Sequence, residues 1–400
     1  GPWVGAITFA APPIGIILLY FIAGKVRKSN KVTVPEIMGA RYGQSASIIS
    51  AVCVMLAYVG VLATQLKAAA DIIVLLCASS GIEISHGLAL TICTALIAII
   101  TVGGGLVSVA YSDAISALLM IGGFFLAIPF LIGVANSQGA TLPPEKMTIT
   151  GGMSGWELLG YFLPSLALML GDQNMLQRFA SAKNSDEAKK SNIGMFIGEI
   201  LVIISIVLVV TQAAKLYPTL DVPSNVIFQV AVDYLPLAFG ALVMCACMAF
   251  IVTTADSYLL VSVQTCVHDI GKTIRPQMPE RTEISLSRIF SIVLPLGALV
   301  IALYIHNAYN ILMFAWSFYA ASAGIPAFAA LFWKKATKTG VMAGLLGGFV
   351  VCVGWKLAGQ PFGLGAAVPG TVACGIALVV VSLATYKRAP SVFLKAEKQS

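Results

Sequence analysis

The chain has 400 residues, 58% hydrophobic and 10% charged, with net charge +7 and mean hydropathy +0.93. Soluble domains carry about 25% charged residues, so most of this surface must meet something other than water. An all-α integral membrane protein in a lipid bilayer is expected. The 24 Lys and Arg residues sit in short loops rather than on one face, which argues against nucleic acid as a partner.

A membrane span needs about 20 mostly apolar residues. Eleven stretches qualify in chain order: 3–23, 46–78, 86–102, 106–134, 156–172, 193–216, 235–267, 286–305, 309–333, 340–358 and 366–386. Twenty of the 24 basic residues then fall on one side of the count. Basic loops stay in the cytoplasm, which predicts a multi-pass plasma-membrane protein with a cytoplasmic C-terminus. The eight cysteines lie in apolar stretches without a CxxC pair and read as buried thiols.

Within these spans some residues break the apolar pattern. Lys67 and Asp71 are four apart in the second span and read as a helix ion pair. In the fifth span, Gly160 and Leu163-Pro164-Ser165 read as an interruption, and Gly171-Asp172-Gln173-Asn174 as its end. The seventh span holds the polar island Thr253-Thr254-Ala255-Asp256-Ser257. Polar groups at membrane depth are costly and mark functional sites. On a helix Phe250, Thr253, Thr254 and Ser257 share one face. Such oxygens suit a hard cation; equally, membrane threonines bond carbonyls of their own helix. Asp256 falls on a line about 60° away from Thr253.

Three loops have a specific look. They are Thr33-Val34-Pro35-Glu36-Ile37 with Arg41-Tyr42-Gly43, the run Ile100–Asp113, and Gln177-Arg178-Phe179-Ala180-Ser181-Ala182-Lys183. Taken singly, each is punctuation: Pro35 stops a helix, glycines turn the backbone, and Arg178 and Lys183 anchor a span end. The glycine run lacks a phosphate-loop ending. No HExxH, GxSxG or nucleotide motif is present, so a transporter is expected rather than an enzyme or a primary pump.

In this order and spacing these loops resemble the solute:sodium symporter family. The likeness extends through Thr253–Ser257, His268-Asp269-Ile270, Arg288, Pro326 and Phe332-Trp333-Lys334, and covers nearly the whole chain. It implies two inverted five-helix repeats with sites near the midplane where helices break. Residues 1–134 would be a first repeat lacking its opening helix, and 156–333 a complete second repeat. Residues 340–386 would be two further helices, and 387–400 a cytoplasmic tail.

The resemblance further implies sodium ligands: the Thr253 and Thr254 hydroxyls and the Phe250 backbone carbonyl. Asp113 would stand on the sodium exit path. Ser165, Leu168 and Met169 would face the solute, and Asp256 and Ser257 would stand behind the ligands. Sodium is the implied ion, no other metal is called for, and a single chain is taken as the working unit. The expected activity is sodium-coupled import of a small polar organic solute by alternating access. An amino acid, quaternary amine, carboxylate or vitamin is expected rather than a sugar, because Pro2 precedes Trp3 and Gly5 follows where sugar carriers hold an acid beside the tryptophan, and the fifth span is apolar where they place hydrogen-bonding groups. The alternatives are a sodium-independent or proton-coupled carrier of the same fold, or a truncated inactive one.

Overall fold

The computed structural model describes residues 1–29, 31, 33–103, 106–217, 225–304 and 308–386. The expected tail 387–400 and part of the glycine run, Gly104-Gly105, lie outside the described residues. A bilayer offers the backbone no hydrogen bonds, so spans must satisfy their own. Every span here does so as helix: α1 (Pro2–Phe9), α2 (Ala11–Ser29), α4 (Gln44–Ser79), α5 (His86–Gly103) and α6 (Leu106–Ser137), with the short α3 (Val34–Tyr42) before α4. Next come α7 (Gly155–Gly171), α8 (Gln173–Ala180), α9 (Ser185–Leu216) and α10 (Val226–Asp233). Helix α11 (Leu237–Gln264) runs through a π-helical turn, Thr265–Gly271, into α12 (Lys272–Ile274). Then follow α13 (Glu280–Tyr304), α14 (Ala308–Tyr319), a second π turn Ala320–Gly324, α15 (Ile325–Phe332), α16 (Lys338–Leu357) and α17 (Ala367–Thr385).

Among the described residues, ten helices are long and apolar enough to cross a membrane. The remaining expected span, the fifth, is α7, which is 17 residues long and stops at Asp172. The interruption expected at Gly160 and Leu163–Ser165 does not occur, because Pro164 lies inside a continuous α7. A proline there releases only the carbonyl of Gly160, and Gly160 lines a cavity of about 160 Å³ with polar walls. The chain breaks about two turns later, at Asp172.

Local chemistry sets the other ends. Ser154 and Glu157 form a capping box at α7, Asn184 caps α9, and Thr337 caps α16. Pro35, expected to stop a helix, instead opens α3, where its missing N–H costs nothing. Thr33 caps that helix, accepting from the Glu36 N–H at 3.1 Å. Arg41 then reaches the far end of α15. Its guanidinium donates to the carbonyls of Ala330 and, at 2.6 Å, Trp333. The expected Lys67–Asp71 pair is also replaced. The connection after α4 brings the first residue of α5 back, and Asp71 pairs with His86 Nε2 at 2.7 Å. Cys245 is exposed and Cys77 half-buried, while the other six cysteines are buried.

The largest buried cluster joins α4, α5, α6, α9, α11 and α13, and a second joins α2, α3, α8, α15, α16 and α17. A third, around Tyr58, Tyr319, Leu168 and Val261, lies where α4, α7, α11 and α14 meet. Large apolar residues such as Ile99, Leu118 and Ile197 face outward, as lipid-facing residues should.

Candidate functional site

The site is organised by the break between α7 and α8. Asp172, in an extended conformation (φ −58°, ψ 113°), separates them and caps α8 by accepting from the Asn174 N–H at 3.1 Å. Gly171 allows the break to press against the second π turn. A Cβ there would stand 3.0 Å from Gly324 Cα. Two tyrosines satisfy the backbone groups set free. The Tyr58 hydroxyl from α4 donates to Asp172 Oδ1 and accepts the Gln173 N–H at 2.9 Å. The Tyr319 hydroxyl from α14 donates to the Gly171 carbonyl. The two rings stack with centroids 5.5 Å apart, and Tyr258 of α11 meets Tyr58 edge-on at 4.8 Å.

A cavity of about 980 Å³ opens beside this break and extends to Ser181, Ala182, Glu187 and Ser191, the basic stretch where α8 ends and α9 begins. Phe250, Thr253, Thr254 and Ser257 all line it, so α11 turns its polar face inward. Thr253 Oγ1 donates to the Phe250 carbonyl at 3.2 Å. Oxygen ligands of a hard cation of this size lie about 2.4 Å from it, so two at a right angle are about 3.4 Å apart. The spacing of Thr253 Oγ1 and Phe250 O therefore fits a shared ion, and it also matches the helix-internal bond read from the sequence.

Arg178 does not anchor a span end. It turns into the cavity, pairs with Asp113 of α6, and donates to Ser257 Oγ at 3.3 Å and Asn174 Oδ1 at 3.3 Å. Ser257 Oγ lies 3.4 Å from Asp113 Oδ2. Three helices are thus tied by one guanidinium. Sequence spacing could not pair Asp113 with Arg178, which are 65 residues apart. Of the expected solute-facing residues, Met169 lines the cavity, while Ser165 and Leu168 are buried. Leu168 packs in the tyrosine cluster. Asp256 turns to α5, where the Thr101 hydroxyl donates to its carboxylate. The two tyrosines at the break were missed, since an isolated tyrosine in an apolar span carries no signal of its partner.

The comparisons bear on this geometry. The model of the Sodium:solute symporter family matches residues 1–348. The "High-affinity proline transporter PutP" of Bacillus subtilis (strain 168) is 25% identical over 385 residues, covering 91% of this chain and 79% of that one. The "Sodium/proline symporter" of Haemophilus influenzae is 25% identical over 411 residues, covering 94% and 81%. Among solved structures, a Na+-coupled sialic acid symporter in a substrate-bound outward-open state has a TM-score of 0.74 at 17% identity, covering 97% of this chain and 84% of that one. Mhp1, a nucleobase-cation-symport-1 family transporter in a closed conformation, has a TM-score of 0.62 at 11% identity, covering 96% and 86%. These likenesses establish the fold. With a family model matched across residues 1–348 of 400, the chain belongs to the Sodium:solute symporter family.

Proposed function

We propose that the chain imports a small polar organic solute together with sodium by alternating access, and that its work is transport rather than catalysis. Sodium-coupled symport is the activity of its family, and sodium is the driving ion. The observation that carries the reading is the oxygen-bearing face of α11, formed by Phe250, Thr253, Thr254 and Ser257, beside the broken helix. The Thr253 and Thr254 hydroxyls and the Phe250 carbonyl hold the ion. Met169 stands on the solute side, with Ser165 and Leu168 buried behind it. Asp113 is the ion's next contact on leaving, and Asp256 and Ser257 support the ligands. A sodium ion moving inward through 100 mV releases about 2.3 kcal/mol, enough for roughly forty-fold accumulation.

The excess of Lys and Arg in the loops on that side supports a cavity mouth and a C-terminus in the cytoplasm, in a cell's plasma membrane. Residues 1–134 belong to the first repeat without its opening helix, 156–333 form the second, and 340–386 are the appended helices. A small amino acid or amine fits better than a sugar, and the relatives named as proline carriers support this.

Thr253→Ala is expected to raise the sodium concentration for half-maximal uptake at least ten-fold in proteoliposomes, with Thr253→Ser close to wild type. An unchanged sodium requirement would favour a proton-coupled or sodium-independent carrier. Arg178→Ala is expected to leave Asp113 as an unneutralised carboxylate on the exit path. Turnover should fall at least five-fold with slower sodium release, and adding Asp113→Asn should recover part of it. A double variant as slow as the single one would remove Asp113 from the path.

A further inference from the structure

Glu199 is a carboxyl group inside a membrane span, and the sodium site makes no use of it. It lies on α9 about 13 Å of helix from Lys190 and about 24 Å from Lys215, too far from either end to reach the interface. It is half-buried, and among the described residues no hydrogen bond or ion pair reaches it. An ionisable group at such depth is costly and marks a functional site.

A second helix break faces it. α9 runs antiparallel to the first span, and three contacts fix the register. Lys189 Cε would stand 3.3 Å from a Cβ at Gly24, and Val207 Cγ2 would stand 3.8 Å from one at Gly5. Between them, Asn192 Nδ2 donates to the Ile16 carbonyl at 2.8 Å. Further out, Phe9 shares a groove with Ile206 and Val207. Asn192, Glu199 and Ile206 are seven apart, so they share one face of α9. Glu199 is midway between the levels of Ile16 and Phe9, which sets it opposite Pro12 and Pro13. Here α1 gives way to α2 at Ala10. Both prolines are buried and neither has an N–H, so the carbonyls of Thr8 and Phe9 lose their helical donors. Acceptors without donors thus lie opposite a carboxyl group. A carboxylate would add only more acceptors, whereas a neutral carboxyl brings the missing donor.

The charged groups on the neighbouring helices lie at other levels. α1 has no titratable side chain, and Tyr20, Lys25, Arg27 and Lys28 of α2 come at least seven residues after Pro13. Tyr111 and Asp113 of α6 and Arg178 of α8 line the large cavity. Asp233 of α10 accepts from Tyr217 and Gln229 beyond the outer end of α9.

We propose that Glu199 and the break at Pro12 and Pro13 form a proton-binding site that works in the transport cycle. The carboxyl O–H donates to a carbonyl that the prolines have freed. The proton leaves to water by way of the large cavity, which Met195 lines one helical turn from Glu199, and the carboxylate takes one back. This rests on the transport reading but not on its sodium site.

Infrared spectroscopy of the full chain in liposomes tests the site without any solute. A neutral-carboxyl band is expected in wild type and should be missing from Glu199→Gln. It should fade from about pH 6 to about pH 9, a range in which a solvated glutamate is already ionised. If Glu199→Gln does not fold, Glu199→Asp, which shifts the band, makes the assignment. Changing Pro12→Ala together with Pro13→Ala returns donors to Thr8 and Phe9. The proton concentration at which half the band is lost should then rise at least ten-fold. Proline uptake at saturating sodium should fall at least five-fold over the same range in wild type and less than two-fold in Glu199→Gln.

Identical bands in wild type and Glu199→Gln overturn the proposal. So does a half-loss point that the proline changes leave in place, or a pH profile of uptake that survives Glu199→Gln. A ten-fold higher sodium requirement in Glu199→Gln with no band to lose would give the carboxylate to sodium and also overturn it. Absence of proline uptake at every pH contradicts the solute reading alone, and the proton site then stands or falls on the two infrared results.

Discussion

Tyr58→Phe is expected to destabilise the protein by about 3 kcal/mol, far more than the loss of one hydroxyl from a surface site. The tyrosine is fully buried, and its oxygen serves two partners across the helix break. Without it the Gln173 N–H is left a buried orphan, which costs about 1–3 kcal/mol, and the Asp172 carboxylate keeps only the Asn174 N–H on Oδ1, which adds the loss of a bond to a charged group. Phenylalanine keeps the ring that stacks on Tyr319 and meets Tyr258, so packing is preserved and the hydroxyl is isolated. Tyr319→Phe provides the scale. It frees a single carbonyl, that of Gly171, and should cost about 1 kcal/mol. Thermal or denaturant unfolding of the detergent-solubilised protein measures both. A Tyr58→Phe cost no larger than that of Tyr319→Phe would mean the break is held by something other than the α4 hydroxyl.

That break shows how far the sequence could be read. The spans were legible because lipid demands long apolar helices, and ten of the eleven expected positions hold membrane-length helices. The end of the fifth was legible at Gly171-Asp172-Gln173-Asn174, but the interruption expected at Pro164 is not there. Pro164 is a strong local signal, whereas Asp172 breaks the chain through partners on α4 and α14 that lie more than 100 residues away in sequence. The same reason separates Thr253 from Arg178. Helical spacing alone puts Thr253, Thr254 and Ser257 on one face, and they line the cavity together. Arg178 looked like an interfacial anchor because its role depends on Asp113, which only the fold brings near. Asp71 was given a neighbour on its own helix and found His86 across a turn. Periodicity reads contacts within a helix; it cannot read contacts between helices.

Gly348→Ala is expected to cost more than 3 kcal/mol, although one methyl is added and alanine is the better helix former by about 1 kcal/mol. The sign is set by packing between helices. Gly340, Gly344 and Gly348 recur every four residues along α16, so they share a face, and small residues there let membrane helices approach closely. A Cβ at Gly348 would overlap the carbonyl oxygen of Ala321, 2.7 Å from its carbon, and stand 2.8 Å from Cys374 Cβ on α17. The overlap is with backbone, so no rotamer change relieves it. Gly354 lies on the same helix with nothing within 4 Å of its would-be Cβ. Gly354→Ala should therefore be neutral or stabilising, which separates packing from propensity. Ala321 also belongs to the π turn that ends at Gly324, against which Gly171 packs. Pushing Ala321 away from α16 moves that turn toward the break, so Gly348→Ala should lower transport beyond the loss of folded protein. Uptake normalised to folded protein measures this second effect. If normalised uptake matches wild type, α16 supports the fold alone and the π turn does not transmit its position to Gly171.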